Sequence, residues 1–546
     1  MKKIALSANI EAFTDNNFIY VDKTEQIYRL IDLYPRVFIS RPRRFGKSLT
    51  LNTIATLFEK GVDPYFKGTW IYDKWQERQY PVLHLSFIDY SQQSVELLKQ
   101  SLCSEFKEFA HKQGITGYTD SSEPNDLVRS ILNSAPDGWQ FVLLIDEYDA
   151  PMTAHINNKE LYDRFQLCLR EFFGVLKDKK QIKFLAITGV TRLKDVSIFS
   201  VGSDIVDMSY DQVTSQLIGF TRDEIKKFYQ DYLRLGAAYA QHKEPEQVSA
   251  EDIEMLLDDM ARHYDGYCFD EYYENKVFST WSVNSFLQTI AAKKRVDFNN
   301  YWYDAGGLPT ILANYLKSHG TAVLKSYLQL LDEGQEHCIS LSVNRFKNPT
   351  TLVGIDENIL MCQTGYLTLH SPLGSVGQVQ LGFANQETAT SLAHSLSELL
   401  FPEDISNHAR HVRRTLEEGS AEEIAELLKE TLAAVPYDHF PLKNEMLLRA
   451  LIQFFIQIYC DNVRAEQHNH NGRSDVIACF EHRVLVLELK YSQDGSNQDK
   501  LLEEAVNQIR EHDYGRENLD GRELIRLALV YGAQPGRRGV IAYKGV

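Results

Sequence analysis

Gly46, Lys47 and Ser48, within the stretch VFISRPRRFGKSLT (37–50), are residue types that together can hold a polyphosphate. Backbone N–H groups at a helix N-terminus cradle phosphate oxygens. A lysine neutralises charge at the β and γ positions, and a serine hydroxyl can ligate Mg2+. The usual pattern for such a loop, G-x-x-x-x-G-K-[ST], begins with a glycine where this chain has Arg41. That glycine mainly permits a tight turn, so its replacement predicts a different entry to the loop and not a lost site. Arg44, Phe45 and Leu49 flank the cradle and complete the candidate set. Arg41, Arg43 and Arg44 stay open to three readings: contact with phosphate, with a neighbouring subunit, or with water.

A second stretch, FVLLIDEYDAP (141–151), is an apolar run ending in Asp146 and Glu147. This places two carboxylates at the carboxyl end of a core strand, where α/β sheets bind ligands. Asp146 is expected to hold Mg2+ through water, together with Ser48, and Glu147 to orient or deprotonate the attacking water. A third run, KFLAITGVTR (183–192), ends in Thr188, suited to sensing a γ-phosphate. Arg192 follows as either a sensor or arginine finger or an ordinary salt-bridge partner. ATP with Mg2+ is the expected ligand.

The other constellation lies near the C-terminus in NGRSDVIACFEHRVLVLELKYS (471–492). Asp475 opens one strand, while Glu488 and Lys490 sit two apart on its partner and so project from one face. Two carboxylates can share a hard divalent cation, Mg2+ or Mn2+. An adjacent lysine can position a water and steady the charge that develops in phosphodiester cleavage. The strand VLVLELK is too apolar to be a surface decoration, so these charges interrupt a buried face, which is costly without a metal or partners. Glu445, near the start of the preceding helix, is a candidate further metal carboxylate or a helix-terminal charge. Gln508 on the following helix is within reach of the same site.

These residues need elements to position them. The 546-residue chain is several times a usual domain length, and its 44% hydrophobic and 24% charged shares are those of a globular protein. No run approaches the ~18 apolar residues of a membrane helix, and Glu11 interrupts the short apolar start, so a cytoplasmic protein without membrane attachment is expected. Seven scattered cysteines with no C-x-x-C pair argue against a disulfide framework or zinc knuckle. A net charge of −17 excludes wrapping nucleic acid with the whole surface but leaves room for a local or metal-bridged contact.

The fold class read from pattern is α/β. Residues 1–215 alternate apolar runs with helical stretches, predicting a P-loop NTPase domain with a parallel sheet flanked by helices. Residues 216–400 read as a mostly helical middle, a lid and coupling region, with TRDEIKKF opening on a capping box and LMCQTGYLTL (360–369) showing strand character. Residues 401–546 predict a small α/β domain: a helix, a hairpin turning around 481–483, the helix 499–512 and a last strand IRLALVYG.

The chain resembles the bacterial AAA-ATPase-like proteins that carry a C-terminal PD-(D/E)XK nuclease-like domain. The resemblance is carried by YVDKT (20–24), RPRRFGKS (41–48), LIDEYDAP (144–151), TGVTRLKDVSIFS (188–200), GFTRDEI (219–225), YDGYCF (264–269), QTGYLTL (363–369), FANQE (383–387) and GRSDV…LELK. It implies that RPRRFGKS is this family's own phosphate loop. It also implies that Asp475, Glu488 and Lys490, with Glu445 and Gln508, form a nuclease-like metal site; the resemblance names no substrate, and DNA is the expected one. The expected activity is ATP hydrolysis governing cleavage, which suits defence against phage or other foreign DNA. A nucleotide-dependent switch or scaffold whose nuclease-like domain binds without cutting is the alternative, and a small-molecule kinase a weaker one. An arginine-rich phosphate loop would also be at home in a homo-oligomer interface.

Overall fold

The structure is a computed structural model. It describes all residues except 1, 7–8, 91, 193–203, 305–309, 332–337, 350–351, 353, 375–376, 401–404, 436, 438–441, 461–462, 470–471, 517–518, 520 and 535–537. The stretch LKDVSIFS of TGVTRLKDVSIFS (188–200) therefore lies outside the described residues. The chain forms two compact units, Met1–Tyr315 with Ser340–Ala389, and Leu316–Ile339 with Thr390–Val546.

The first unit is built on a parallel sheet of β1 (Arg36–Ser40), β2 (Val82–Ser86), β3 (Phe141–Asp146), β4 (Ile182–Gly189) and β5 (Val206–Asp207), in the order β2-β3-β4-β1-β5. β1 and β3 are buried along their whole length, as expected of strands covered by helices on both faces. β2, at one edge, alternates buried and accessible residues. Between the loop strand β1 and the acidic strand β3 lies β4, so Thr188 ends between the phosphate loop and Asp146. The helix Lys47–Lys60 buries Leu51, Ile54, Ala55 and Phe58, the predicted face, against Val37, Val142 and Phe184 of the sheet.

Downstream of β5 the described residues of the first unit up to Tyr315 are mostly helical. The helix Arg222–Phe228 begins with the predicted capping box, in which Thr221 and Glu224 each satisfy the other's backbone N–H. The segment LMCQTGYLTL departs from its strand reading. Asp356 caps a helix Glu357–Thr364, Gly365 ends it at φ +94°, and only then does a strand, β7 (Leu367–Leu369), begin. A strong N-cap and a left-handed glycine overrode the strand propensity of its apolar residues. β7 pairs antiparallel with β8 (Gln378–Phe383), and β6 (Ile339–Ser342) completes this small sheet.

The second unit carries a five-stranded sheet, order β13-β12-β11-β10-β9, of β9 (Val463–Asn469), β10 (Gly472–Cys479), β11 (Arg483–Ser492), β12 (Glu523–Gly532) and β13 (Gly539–Gly545). β10 and β11 form the predicted hairpin. β11 and β12 run parallel, joined through the helix Gln498–His512, whose Ala505, Val506 and Ile509 pack on Val484, Val486 and Ala528. The outer strands β9 and β13, and a helix Ile405–Glu418, were not legible in the sequence pattern. β13 carries only a short apolar run, Val540–Tyr543, and is mostly partly accessible.

Candidate functional site

In the first unit the phosphate loop links β1 to the helix Lys47–Lys60. Gly46 stands at its N-cap with φ +107°, a conformation other residues adopt only under strain. Lys47 is buried, and its Nζ donates to the carbonyls of Arg41 (3.1 Å) and Pro42 (3.0 Å), closing the loop on itself. Burial pulls its pKa down, with Asp146, Glu147 and Asp149 opposing. The Asp146 carboxylate is fixed by the Ser48 hydroxyl (2.5 Å), the Thr188 hydroxyl (2.5 Å) and the Glu147 N–H (3.0 Å). Gly46, Lys47, Ser48, Asp146 and Thr188 are thus brought together. Ser48 and Asp146 form an oxygen pair of the kind that suits Mg2+.

Glu147 adopts φ +50°, a strained value for a non-glycine residue, and lines the cleft beside the loop. Burial holds its carboxyl above the ordinary range. The cleft encloses about 430 Å3. Arg44, Phe45 and Leu49 also line it, and its far wall is apolar, with Val21, Ile27, Leu217, Ile218 and Phe220. A charged floor beside an apolar wall suits a nucleotide's phosphates and base. The apolar wall was missed in the sequence because it is assembled from segments about 190 residues apart.

Arg192 is not among the residues that line the cleft. Its Nε pairs with Asp207, and its Nη1 donates to the Lys347 carbonyl (2.7 Å), which is the salt-bridge arrangement. Arg41 also points away from the cleft. It is 1% exposed, its guanidinium donates to the carbonyls of Ser40 (2.8 Å), Ser209 (2.5 Å) and Thr214 (3.0 Å), and it lies 4.2 Å over the Phe269 ring. Burial draws its pKa down to about 10, so it stays charged at neutral pH. The residue in the missing glycine's place is an internal strut. Asp149 of DEYDAP accepts from the N–H (2.6 Å) and hydroxyl (2.6 Å) of Thr191, tying the ends of β3 and β4 together. Gly189 is required between them, since a Cβ there would lie 2.6 Å from the Tyr148 ring.

In the second unit, Val476 of β10 faces Leu487 of β11, so Asp475 and Glu488 stand opposite one another at the next register position. Like charges so placed repel, a cost that a shared cation removes. Asp475 Oδ2 accepts from the Leu489 N–H (2.8 Å), and its Oδ1 lies 3.6 Å from the Arg449 guanidinium. Glu488 is 3% exposed; Oε1 accepts from Lys490 Nζ (3.2 Å), while Oε2 is buried with no hydrogen-bond partner among the described residues. Gln508 Oε1 is likewise buried and unpartnered. Burial, with Asp475 beside it, holds Glu488 well above the usual carboxylate range. Glu445, first residue of the helix Glu445–Gln457, is raised by burial and by Asp475 and lowered by Lys490, which places it at the same site.

Hard oxygen donors with an orphaned carboxylate oxygen fit a divalent cation. Asp475 and Glu488 supply the pair; among the described residues no group of three His, Cys, Asp or Glu side chains is arranged to hold a metal ion. Nor is any helix there long and apolar enough to cross a membrane.

Residues 7–199 match the family described as predicted AAA-ATPase, and residues 443–538 match the PD-(D/E)XK nuclease superfamily. The chain thus joins an AAA-ATPase-like domain to a PD-(D/E)XK nuclease superfamily domain. It is similar, at 26% identity over 514 residues and 90% of each chain, to an uncharacterized protein in the vnfD 5′ region of Azotobacter chroococcum mcd 1. Among solved structures, a Walker-type ATPase of Pyrococcus abyssi aligns at 14% identity with a TM-score of 0.32, covering 68% of this chain and 94% of that one.

Proposed function

We propose that the first unit binds and hydrolyses ATP, that the C-terminal domain cleaves DNA with a divalent cation, and that nucleotide state governs cleavage. The observation that carries the nuclease half is the opposed pair Asp475 and Glu488 beside Lys490, with Glu488 buried and one of its carboxylate oxygens unpartnered among the described residues. Natural folds retain such a costly arrangement where a bound cation repays it. Bound by Asp475 and Glu488, Mg2+ or Mn2+ would neutralise charge on the scissile phosphate. Lys490 holds its ammonium beside the carboxylates, where it orients a water and counters charge on the phosphate. Gln508, whose amide oxygen is buried and unpartnered among the described residues, would add a further oxygen donor, and Glu445 would add negative charge at the margin of the site.

In the ATP site, Lys47 takes the β and γ charge, giving up its bonds to the loop carbonyls. Ser48 and Asp146 would hold Mg2+, whose charge assists the departure of the leaving phosphate. Glu147, its carboxyl raised by burial, is placed to orient the attacking water. Cutting that waits on nucleotide state suits a response to foreign DNA, where it must be restrained until triggered.

A second reading, a nucleotide-dependent switch whose nuclease-like domain binds without cutting, draws on Arg449, which stands at an oxygen of Asp475 that cleavage needs. Purified protein incubated with supercoiled plasmid, single-stranded DNA and RNA, with Mg2+ or Mn2+ and with or without ATP, decides between them. Metal-dependent scission of DNA supports the nuclease; binding without scission under every condition supports the switch.

A further inference from the structure

Each residue from Arg41 to Phe45 is held by a part of the chain beyond the central sheet. Arg41 is bound by the Ser209 and Thr214 carbonyls and the Phe269 ring. Pro42 abuts Gly365, where an added Cβ would lie 2.7 Å from the proline Cβ. The Arg43 carbonyl accepts from the Trp302 indole N–H (3.1 Å), and the Arg44 carbonyl from the Thr280 hydroxyl (2.9 Å). The Arg44 guanidinium lies 4.1 Å over the Trp281 ring, and Phe45 packs edge-on against Tyr267 (4.7 Å) and Phe269 (5.7 Å). Three stretches of the sequence that the ATP and metal sites leave unused contribute to this collar: YDGYCF through Tyr267 and Phe269, QTGYLTL through Gly365, and FANQE through Glu387, which holds Trp302 and Ser282. Their mutual fit is close: a Cβ on Gly266, at φ +96°, would lie 2.1 Å from the Ala384 carbonyl oxygen.

One carboxylate joins the collar's two tryptophan arms. Glu387, 1% exposed, accepts from the Trp302 backbone N–H (2.8 Å) through one oxygen and from the Ser282 hydroxyl (2.7 Å) through the other. Ser282 lies in the first turn of the helix Thr280–Lys293, which carries Thr280 and Trp281. A buried carboxylate carries a desolvation cost that a structural contact alone could avoid with an apolar residue of the same size. We infer that Glu387 is a positioning residue for the ATP site: by fixing Trp302 and the start of the Thr280–Lys293 helix, it sets the shape of the phosphate loop that lacks its entry glycine. The inference rests on the ATP reading for its functional consequence, though not for the loop geometry itself.

The test uses the full chain. In Glu387→Gln the amide oxygen still accepts from Trp302 and the amide nitrogen donates to Ser282, so both ties survive. In Glu387→Leu both are lost, and Trp302→Phe removes only the bond to Arg43. Hydrogen exchange of the amides of residues 43–49 is expected to quicken on the order of tenfold in Glu387→Leu and in Trp302→Phe, and to stay within about twofold of wild type in Glu387→Gln. KM for ATP is expected to rise in the same two variants by a similar factor, with a smaller change in kcat. Should Glu387→Leu fail to fold, Trp302→Phe carries the test. Unchanged loop exchange in the folded variants overturns the inference, as does a Glu387→Gln protein as defective as Glu387→Leu. Quickened exchange in a chain whose wild type binds no ATP upholds the collar and removes the ATP reading instead.

Discussion

Restoring the usual glycine at the head of the phosphate loop should damage this protein. In Arg41→Gly three carbonyl oxygens, those of Ser40, Ser209 and Thr214, lose a charged donor inside the fold. Each buried acceptor left unpaired costs about 1–3 kcal/mol, part of which the relieved desolvation of the guanidinium returns. Lost contact with the Phe269 face adds up to ~2 kcal/mol, and the freer glycine backbone about 0.5–1 kcal/mol. The net expectation is a loss of about 3–5 kcal/mol, a large share of the ~5–15 kcal/mol that holds a domain together. The five tryptophans, Trp70, Trp75, Trp139, Trp281 and Trp302, all fall in the first unit. Tryptophan fluorescence during urea unfolding therefore reports that unit alone. Arg41→Gly should unfold at clearly lower urea and bind ATP at least about tenfold more weakly. A variant as stable as wild type that binds ATP equally or more tightly would refute the strut reading of Arg41.

Glu147→Gln should leave ATP binding within about threefold of wild type while lowering kcat by 100-fold or more, the pattern of a group needed for water attack and not for phosphate holding; equal losses in binding and turnover would contradict it. Burial pushes Glu387 up to about 7 from an ordinary 4.5, so between those values the folded chain keeps a proton that the unfolded chain has released. Stability then falls as pH rises through that interval, by about 3 kcal/mol between pH 4.5 and 8 relative to Glu387→Gln. Parallel stability profiles for the two proteins, followed by the same fluorescence, would show that Glu387 does not titrate this way.

Sheet strands were readable where short apolar runs were bounded by polar residues, as in RVFIS and FVLLID, since strands buried on both faces leave that mark. The helix Lys47–Lys60 was readable from its period. β5 was not, because a two-residue edge strand has no apolar signature, and neither were β9, whose VRAEQHN is mostly polar, and β13, whose apolar run VIAY is short. The chemistry-bearing residues were visible wherever charge interrupts an apolar run, at Asp146, Glu147, Glu488 and Lys490. Arg41 and Glu387 were invisible as struts because most of their hydrogen-bond partners are backbone carbonyls and N–H groups, which leave no mark in the sequence. The Arg192–Asp207 pair was legible only as one of two alternatives, since sequence spacing does not say which acid an arginine meets.

The central claim, two separate chemistries in one chain, is tested most directly by measuring ATP turnover and metal-dependent DNA cleavage in Lys47→Ala and Glu488→Ala side by side with wild type. The account predicts that Lys47→Ala abolishes ATP turnover, and that Glu488→Ala abolishes cleavage while turnover persists. ATP turnover that survives in Lys47→Ala, or DNA cleavage that survives in Glu488→Ala, would contradict it.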